Sequence, residues 1–197
     1  MAEMDRPNES CIIKNSLYQS HEITARVVKA GDHAIDATCG NGGDTLFLAG
    51  LTGEGGKVYS FDIQREALDR TSDRLKKEGL YGRVELIHDT HERMDEYVKE
   101  KVRCVMFNLG YLPGGDHSIG TRGESTIAAV KKAMELLMVN GIITIVVYYG
   151  GDSGFSEKEE ILDFIRTINY KQYTVTKTEF VNQINCPPIL VCIEKLF

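Results

Sequence analysis

Ten residues, Asp36-Ala-Thr-Cys-Gly-Asn-Gly-Gly-Asp-Thr45, bring carboxylates, hydroxyls and glycines together at spacings that suit a nucleotide-like ligand. A short apolar run that reads as a strand precedes them, and Leu46-Phe-Leu-Ala49, which reads as a helix, follows. A glycine turn between a strand and a helix lets the backbone approach a ligand and aims unpaired amides at it. A dinucleotide site wants G-x-G-x-x-G. Gly40 and Gly42 fit that pattern, but Thr45 takes the third glycine's place, which argues against NAD. Asp62 lies twenty residues beyond Gly42 and can accept hydrogen bonds from both hydroxyls of a ribose; alternatively it caps the next helix. Gln64 follows it, near the expected base, and His88-Asp-Thr-His91 ends the third strand on the same edge.

The pattern that does fit is acid-x-small-x-Gly-x-Gly, filled by Asp36, Thr38, Gly40 and Gly42. It resembles the S-adenosylmethionine (SAM) site of Rossmann-like methyltransferases, with Thr38 where glycine is commoner. A second constellation, Asn108-Leu-Gly-Tyr111, ends the fourth strand. It resembles the Asn/Asp-Pro-Pro-Tyr/Phe element of enzymes that methylate amino nitrogens, with Leu109 and Gly110 replacing the prolines. A side-chain amide oxygen there can accept hydrogen bonds from a target amine and orient its lone pair. Tyr111 can stack on the base that carries the amine, or pack beneath its loop. Desolvation disfavours an alkylammonium, so a closed pocket helps to supply the neutral amine that methyl transfer needs. Asp116, His117 and Tyr149 are candidates by topology for the base that removes the leftover proton, each with an ordinary loop or core role as the alternative. Asp44 reads as a first-turn carboxylate favoured by the helix dipole.

Alternating strand and helix patterns must position these groups. The spacing predicts a leading helix over 15–29 and strands at 33–37, 57–62, 84–88, 102–108 and 141–149. Helices are expected over 43–51, 65–78, 124–139 and 156–168, and a final strand pair near 172–180 and 189–195. Ser156 with Glu159 has capping-box spacing. Ile127, Val130, Met134 and Leu137 should face the core from the helix over 124–139. Five β/α units followed by a strand pair make an α/β, Rossmann-like class I methyltransferase fold, with a seven-stranded, mostly parallel sheet flanked by helices. Ligands in such sheets sit beyond the carboxyl ends of the strands.

The chain has 197 residues and 42% hydrophobic content, which suits one domain over 1–197 with residues 1–10 frayed. No 18-residue apolar stretch predicts a membrane span, and the polar N-terminus does not read as a signal peptide. Five cysteines, none spaced as C-x-x-C, read as reduced thiols of a cytoplasmic protein without a metal site. A net charge of −6 argues against a large nucleic-acid footprint. The basic groups of the helix over 65–78 read as a solvated face.

Together these residues resemble the putative rRNA methylase family of small bacterial SAM-dependent methyltransferases, which includes a Gram-positive tRNA (mnm5s2U34) methyltransferase. The resemblance runs from about Cys11 to the C-terminus. It is carried by Asp36–Ala49, Phe61-Asp-Ile-Gln64, Phe107-Asn-Leu-Gly-Tyr-Leu-Pro113 and Asn182-Gln183-x-Asn185. It implies that Asn41, Gly43, Asp62, Gln64, Thr90 and His91 contact SAM, beside Asp36 and Gly40 of the loop. It implies an acceptor amine on 5-aminomethyl-2-thiouridine in the tRNA anticodon loop, with rRNA or a small amine as alternatives. A non-catalytic SAM-binding module is disfavoured, because it would not need Asn108 and Tyr111. The family's Tyr-x-Gly-His run reads Tyr148-Tyr-Gly-Gly151 here, without the histidine. An anticodon loop is read largely by stacking and edge hydrogen bonds, so a few phosphate contacts suffice. Lys14, Arg26, Arg122 and Lys131 are the candidate contacts. A homodimer is an open option.

Overall fold

The computed structural model describes residues 11–110, 123–149 and 154–197. The elements are α1 (Ser16–Val27), β1 (His33–Asp36), α2 (Gly43–Thr52), β2 (Lys57–Phe61), α3 (Arg65–Lys77), β3 (Val84–Ile87) and α4 (Met94–Tyr97). There follow β4 (Val102–Leu109), α5 (Gly123–Leu136), β5 (Leu137–Val147), α6 (Gly154–Arg166), β6 (Tyr173–Thr178) and β7 (Ile189–Lys195). The strands form one seven-stranded sheet in the order β3-β2-β1-β4-β5-β7-β6. The first five strands run parallel; β7 pairs antiparallel with both β5 and β6. The order reverses between β1 and β4, and that crevice is where such sheets receive ligands.

Side-chain alternation along the central strands feeds two cores. Ile143, Ile145 and Val147 of β5 join Ala129, Val130 and Ala133 of α5 and Ile161, Leu162 and Ile165 of α6. Ile142 and Val146 point to the other face, with Val28 after α1 and Leu48 and Ala49 of α2. Burying a large apolar side chain contributes roughly 1.5–3 kcal/mol, so these two layers fix the strand ends rigidly in space. α1 starts at Asn15, whose side chain accepts from the Tyr18 amide at 2.9 Å. α3 is followed by Gly79 at φ +69°, a left-handed residue suited to stopping a helix.

The α5–β5 junction, the start of α6 and the segment between β3 and β4 differ from the sequence expectation. α5 stops at Leu136, and Leu137 is already a strand residue paired with Val102. The next pair is Cys104 with Ile142, so β5 carries a bulge between them. Asn140 takes φ +59° within it, and a Cβ on Gly141 would lie 2.8 Å from the Met138 carbonyl oxygen. Leu137 is thus buried as expected, but from the sheet, and the buried α5 stripe is Thr126, Ala129, Val130 and Ala133. α6 begins at Gly154, and Ser156 bonds Glu160 at 2.9 Å, so the expected capping box with Glu159 is absent. Between β3 and β4 the chain forms a 3₁₀ turn (His91–Arg93) and the single-turn α4, too short to show a periodic pattern.

Candidate active site

The loop between β1 and α2 is closed from below by its own first and last residues. Asp36 is fully buried. Its carboxylate accepts from the Thr38 amide at 3.1 Å and from the Thr45 hydroxyl at 2.5 Å. Burial, reinforced by the neighbouring Asp44 charge, pushes the Asp36 carboxyl up to about 7. Asp36 therefore shapes the loop from behind and presents no oxygen to its open side. Gly42 has φ +76°, and a Cβ there would meet the Thr71 hydroxyl at 2.6 Å, so α3 closes on the loop only because residue 42 is glycine. In front of Gly43 a Cβ would find open space within 4 Å.

Asp62 bridges two of the expected ligand segments. One oxygen accepts from the Gly40 amide at 2.8 Å and the other from the Gln64 amide at 2.8 Å. The N-cap of α3 is Gln64 rather than Asp62, which excludes a simple capping role. Asn41 is held from α3: Arg70 donates to its side-chain oxygen at 3.3 Å, and Arg74 donates to its carbonyl. Within the helix, Arg65 pairs with Asp69 and Arg70 with Glu66.

Beyond β3, Thr90 caps the 3₁₀ turn by accepting from the Glu92 amide at 3.3 Å. His88 faces the Ile63 carbonyl at 3.0 Å. His91 reaches across to β1, its Nδ1 3.0 Å from the Ala37 carbonyl. A carbonyl only accepts, so Nδ1 carries the hydrogen and Nε2 is left with a bare lone pair. Burial pushes the imidazole's pKa down, outweighing the Ala37 bond and the Glu92 and Asp62 charges, and keeps it neutral. Nε2 is buried with no partner among the described residues.

Asn108 ends β4 beside the glycine loop. Its amide donates to the Thr38 hydroxyl at 2.8 Å, and its side-chain nitrogen donates to Asp44 at 3.4 Å. Tyr148, just past β5, packs 3.6 Å from where a Gly110 Cβ would sit and is exposed. Sequence reasoning did not single out Tyr148 for this place, because it lies 38 residues from Gly110 and only the β4–β5 pairing brings them together. Asp36, Gly40, Asn41, Gly43, Asp62, Gln64, Thr90, His91 and Asn108 thus all lie along the carboxyl edge of β1, β2, β3 and β4. Tyr111, Asp116, His117 and Arg122 fall outside the described residues. Arg26 and Lys131 do not share a patch: α1 packs on one face of the sheet and α5 on the other. Among the described residues no metal-binding cluster is present, and no helix is long and apolar enough to cross a membrane.

Known proteins resemble this chain along most of its length. Residues 58–194 match the family model described as Putative rRNA methylase. A chloroplastic tRNA (mnm(5)s(2)U34)-methyltransferase of Arabidopsis thaliana is 38% identical over 92% of this chain and 70% of its own length. A Clostridium thermocellum protein of the same family description has a crystal structure that superposes with a TM-score of 0.93. It is 57% identical, covering 94% of this chain and all of its own. A Streptococcus mutans "putative methyltransferase", solved in complex with SAH, gives 0.87 at 41% identity, covering 94% of this chain and all of its own. With the fold, the glycine loop and these relatives in agreement, the chain belongs to the Putative rRNA methylase family and is a class I methyltransferase.

Proposed function

We propose that this protein transfers a methyl group from SAM to the amino nitrogen of 5-aminomethyl-2-thiouridine at the wobble position of tRNA. The observation that carries the reading is the junction of two half-sites at the strand-order switch. Asp62 ties the β2 end to Gly40, and Asn108 stands beside the same loop at the β4 end. The residues fit SAM. Asp62 offers carboxylate edges to a ribose, Gly43 leaves room for close approach, and the orphaned His91 Nε2 is an acceptor in want of a donor. Asn41, Gln64 and Thr90 line the same edge. In this reading Asp36 and Gly40 hold the loop's shape.

Bound SAM supplies an electrophilic methyl carbon, whose bond to sulfur breaks with the electron pair leaving on sulfur. The protein's part is to deliver a neutral amine in line with that bond. The Asn108 side-chain oxygen accepts an N–H of the amine and turns its lone pair toward the methyl carbon. Tyr148 and Gly110 border the crevice at the β4 end, and apolar surface there favours the uncharged amine. The secondary ammonium that forms then loses its extra proton to bulk water as the product leaves the crevice. Tyr111 is proposed as the stacking partner of the uridine. The acceptor assignment draws support from the 38% identity to the chloroplastic enzyme, which spans nearly the whole chain. The rRNA named in the family description is the second acceptor to test. The buried free thiols Cys39, Cys104 and Cys192 suit a reducing, cytoplasmic setting.

The test is incubation with SAM and tRNA from a strain lacking the terminal wobble methylation, followed by nucleoside mass spectrometry. Conversion of 5-aminomethyl-2-thiouridine to its methylated form is expected. Binding of SAM by calorimetry without conversion would reject the tRNA acceptor and move the assay to rRNA.

A further inference from the structure

We propose that Asp44 and His21 act as a positioning pair for Asn108, fixing its amide so that oxygen, not nitrogen, faces the acceptor amine. This inference rests on the acceptor role given to Asn108 above. An asparagine amide is nearly symmetric in shape but opposite in chemistry at its two ends. An amine N–H needs an acceptor, so an amide turned the wrong way would repel the substrate hydrogen and misdirect the lone pair. Something must select one orientation. Asp44 does so because a carboxylate oxygen accepts from Nδ2, at 3.4 Å, and repels Oδ1. Among the described residues, none donates to Oδ1, the end that Asp44 turns away from itself.

Asp44 is itself pinned. It lies in the first turn of α2, where the helix dipole favours a carboxylate, and only 6% of it is exposed. Its other oxygen is 2.5 Å from His21 Nε2. The His21 ring stacks on Phe47, with centroids 3.9 Å apart and planes within 3°. A stacked ring cannot swing away, so Phe47, His21, Asp44 and Asn108 form one chain of contacts from α1 and α2 to the end of β4. Two partners on two oxygens leave Asp44 a single orientation, and that orientation dictates the amide's. The carboxylate behind Nδ2 also polarises the amide, making Oδ1 a stronger acceptor. Asp44 and His21 touch neither reacting atom in this account; they act through Asn108.

The first variant is Asp44→Asn, which keeps the shape but can face Asn108 with either end of its own amide. The second is His21→Phe, which keeps the stack on Phe47 and removes only the hydrogen bond. For Asp44→Asn, kcat on the hypomodified tRNA is expected to fall about tenfold to a hundredfold, the scale of a lost orienting contact. KM for the tRNA and Kd for SAM should stay within about threefold, because the contacts made before methyl transfer remain. His21→Phe should cost less, about threefold to tenfold in kcat, since Asp44 keeps its own contact with Asn108 and loses only the bond behind it. The double variant Asp44→Asn/Asn108→Ala should be no slower than Asn108→Ala alone. Additive losses, or an unchanged kcat in Asp44→Asn, would overturn the proposal. If the wild-type protein methylates neither tRNA nor rRNA, the acceptor reading has failed, and the orientation claim is judged separately. The Asn108 side-chain amide resonances of the ¹⁵N-labelled protein should then move in both variants; unmoved resonances overturn it.

Discussion

The two halves of the site are held by different means. The half under the glycine loop is tied mainly by the backbone amides of Thr38, Gly40 and Gln64, which donate to Asp36 and Asp62 over short stretches of chain or between adjacent strands. The half at the end of β4 is held by side chains from distant elements, His21 to Asp44 over 23 residues and Asp44 to Asn108 over 64. Backbone amides sit wherever the strands put them, so the first half is nearly rigid once the sheet forms. Side-chain links need several rotamers to agree, so the second half is easier to retune. A cofactor site that tolerates little change beside an acceptor site that tolerates more is what one scaffold serving many acceptors requires.

Substituting Asp62→Ala should produce the largest effect. Two backbone amides lose their acceptor and the proposed ribose contact disappears, so SAM affinity should fall on the order of 10²–10³-fold by calorimetry. Normal affinity in that variant would erase the contrast between the halves. Asn108→Ala is the counterpart on the acceptor side. Turnover should drop roughly 10²-fold while SAM affinity stays within about threefold. A parallel loss of SAM binding would mean that the two halves are one unit.

The buried Asp36 sharpens the picture of the rigid half through pH. Its carboxyl is raised from 3.8 to about 7 by burial first and the Asp44 charge second. The folded state therefore holds this proton where the unfolded chain has released it. Stability from this group is complete below the unfolded value and is lost as pH rises through the folded one. In urea unfolding between pH 4 and 7.5, wild type should lose on the order of 1–3 kcal/mol more than Asp36→Asn, after allowing for relaxation around a buried group. Parallel pH profiles would show that Asp36 is ionised throughout and that its two hydrogen bonds outweigh burial. The smallest effect belongs to Arg74→Ala. Its side chain is exposed and, among the described residues, bonds the Asn41 carbonyl alone, so SAM affinity should weaken no more than about threefold. A tenfold loss would make α3 part of the rigid half.

The glycine loop could be read directly, because the need for φ above zero and close approach leaves few residue choices, and Gly42 against Thr71 shows that need. Asp62 was recognisable by its distance from the loop, although its bond to the Gly40 amide was not. The α5–β5 boundary was misplaced because Leu137 suits a helix stripe and a strand equally well, and only the pairing with Val102 decides between them. Charge alone groups Arg26 with Lys131, and it carries no information about the face of the sheet. His21 drew no attention, since a histidine in a leading helix has no local feature that points to a strand end.

What the sequence determined by itself was the local chemistry: strand, glycine turn and helix in order, with carboxylates and amides at strand ends, because hydrophobic period and turn residues act over a few positions. What only the tertiary structure decided was which side chains meet. The order β3-β2-β1-β4-β5-β7-β6 sets β4 beside β1, and burial on both faces fixes the depth of each strand. That packing brings His21, Asp44, Asn108 and Tyr148 to one crevice, through contacts whose energy depends on three-dimensional distance and leaves no periodic trace in the chain.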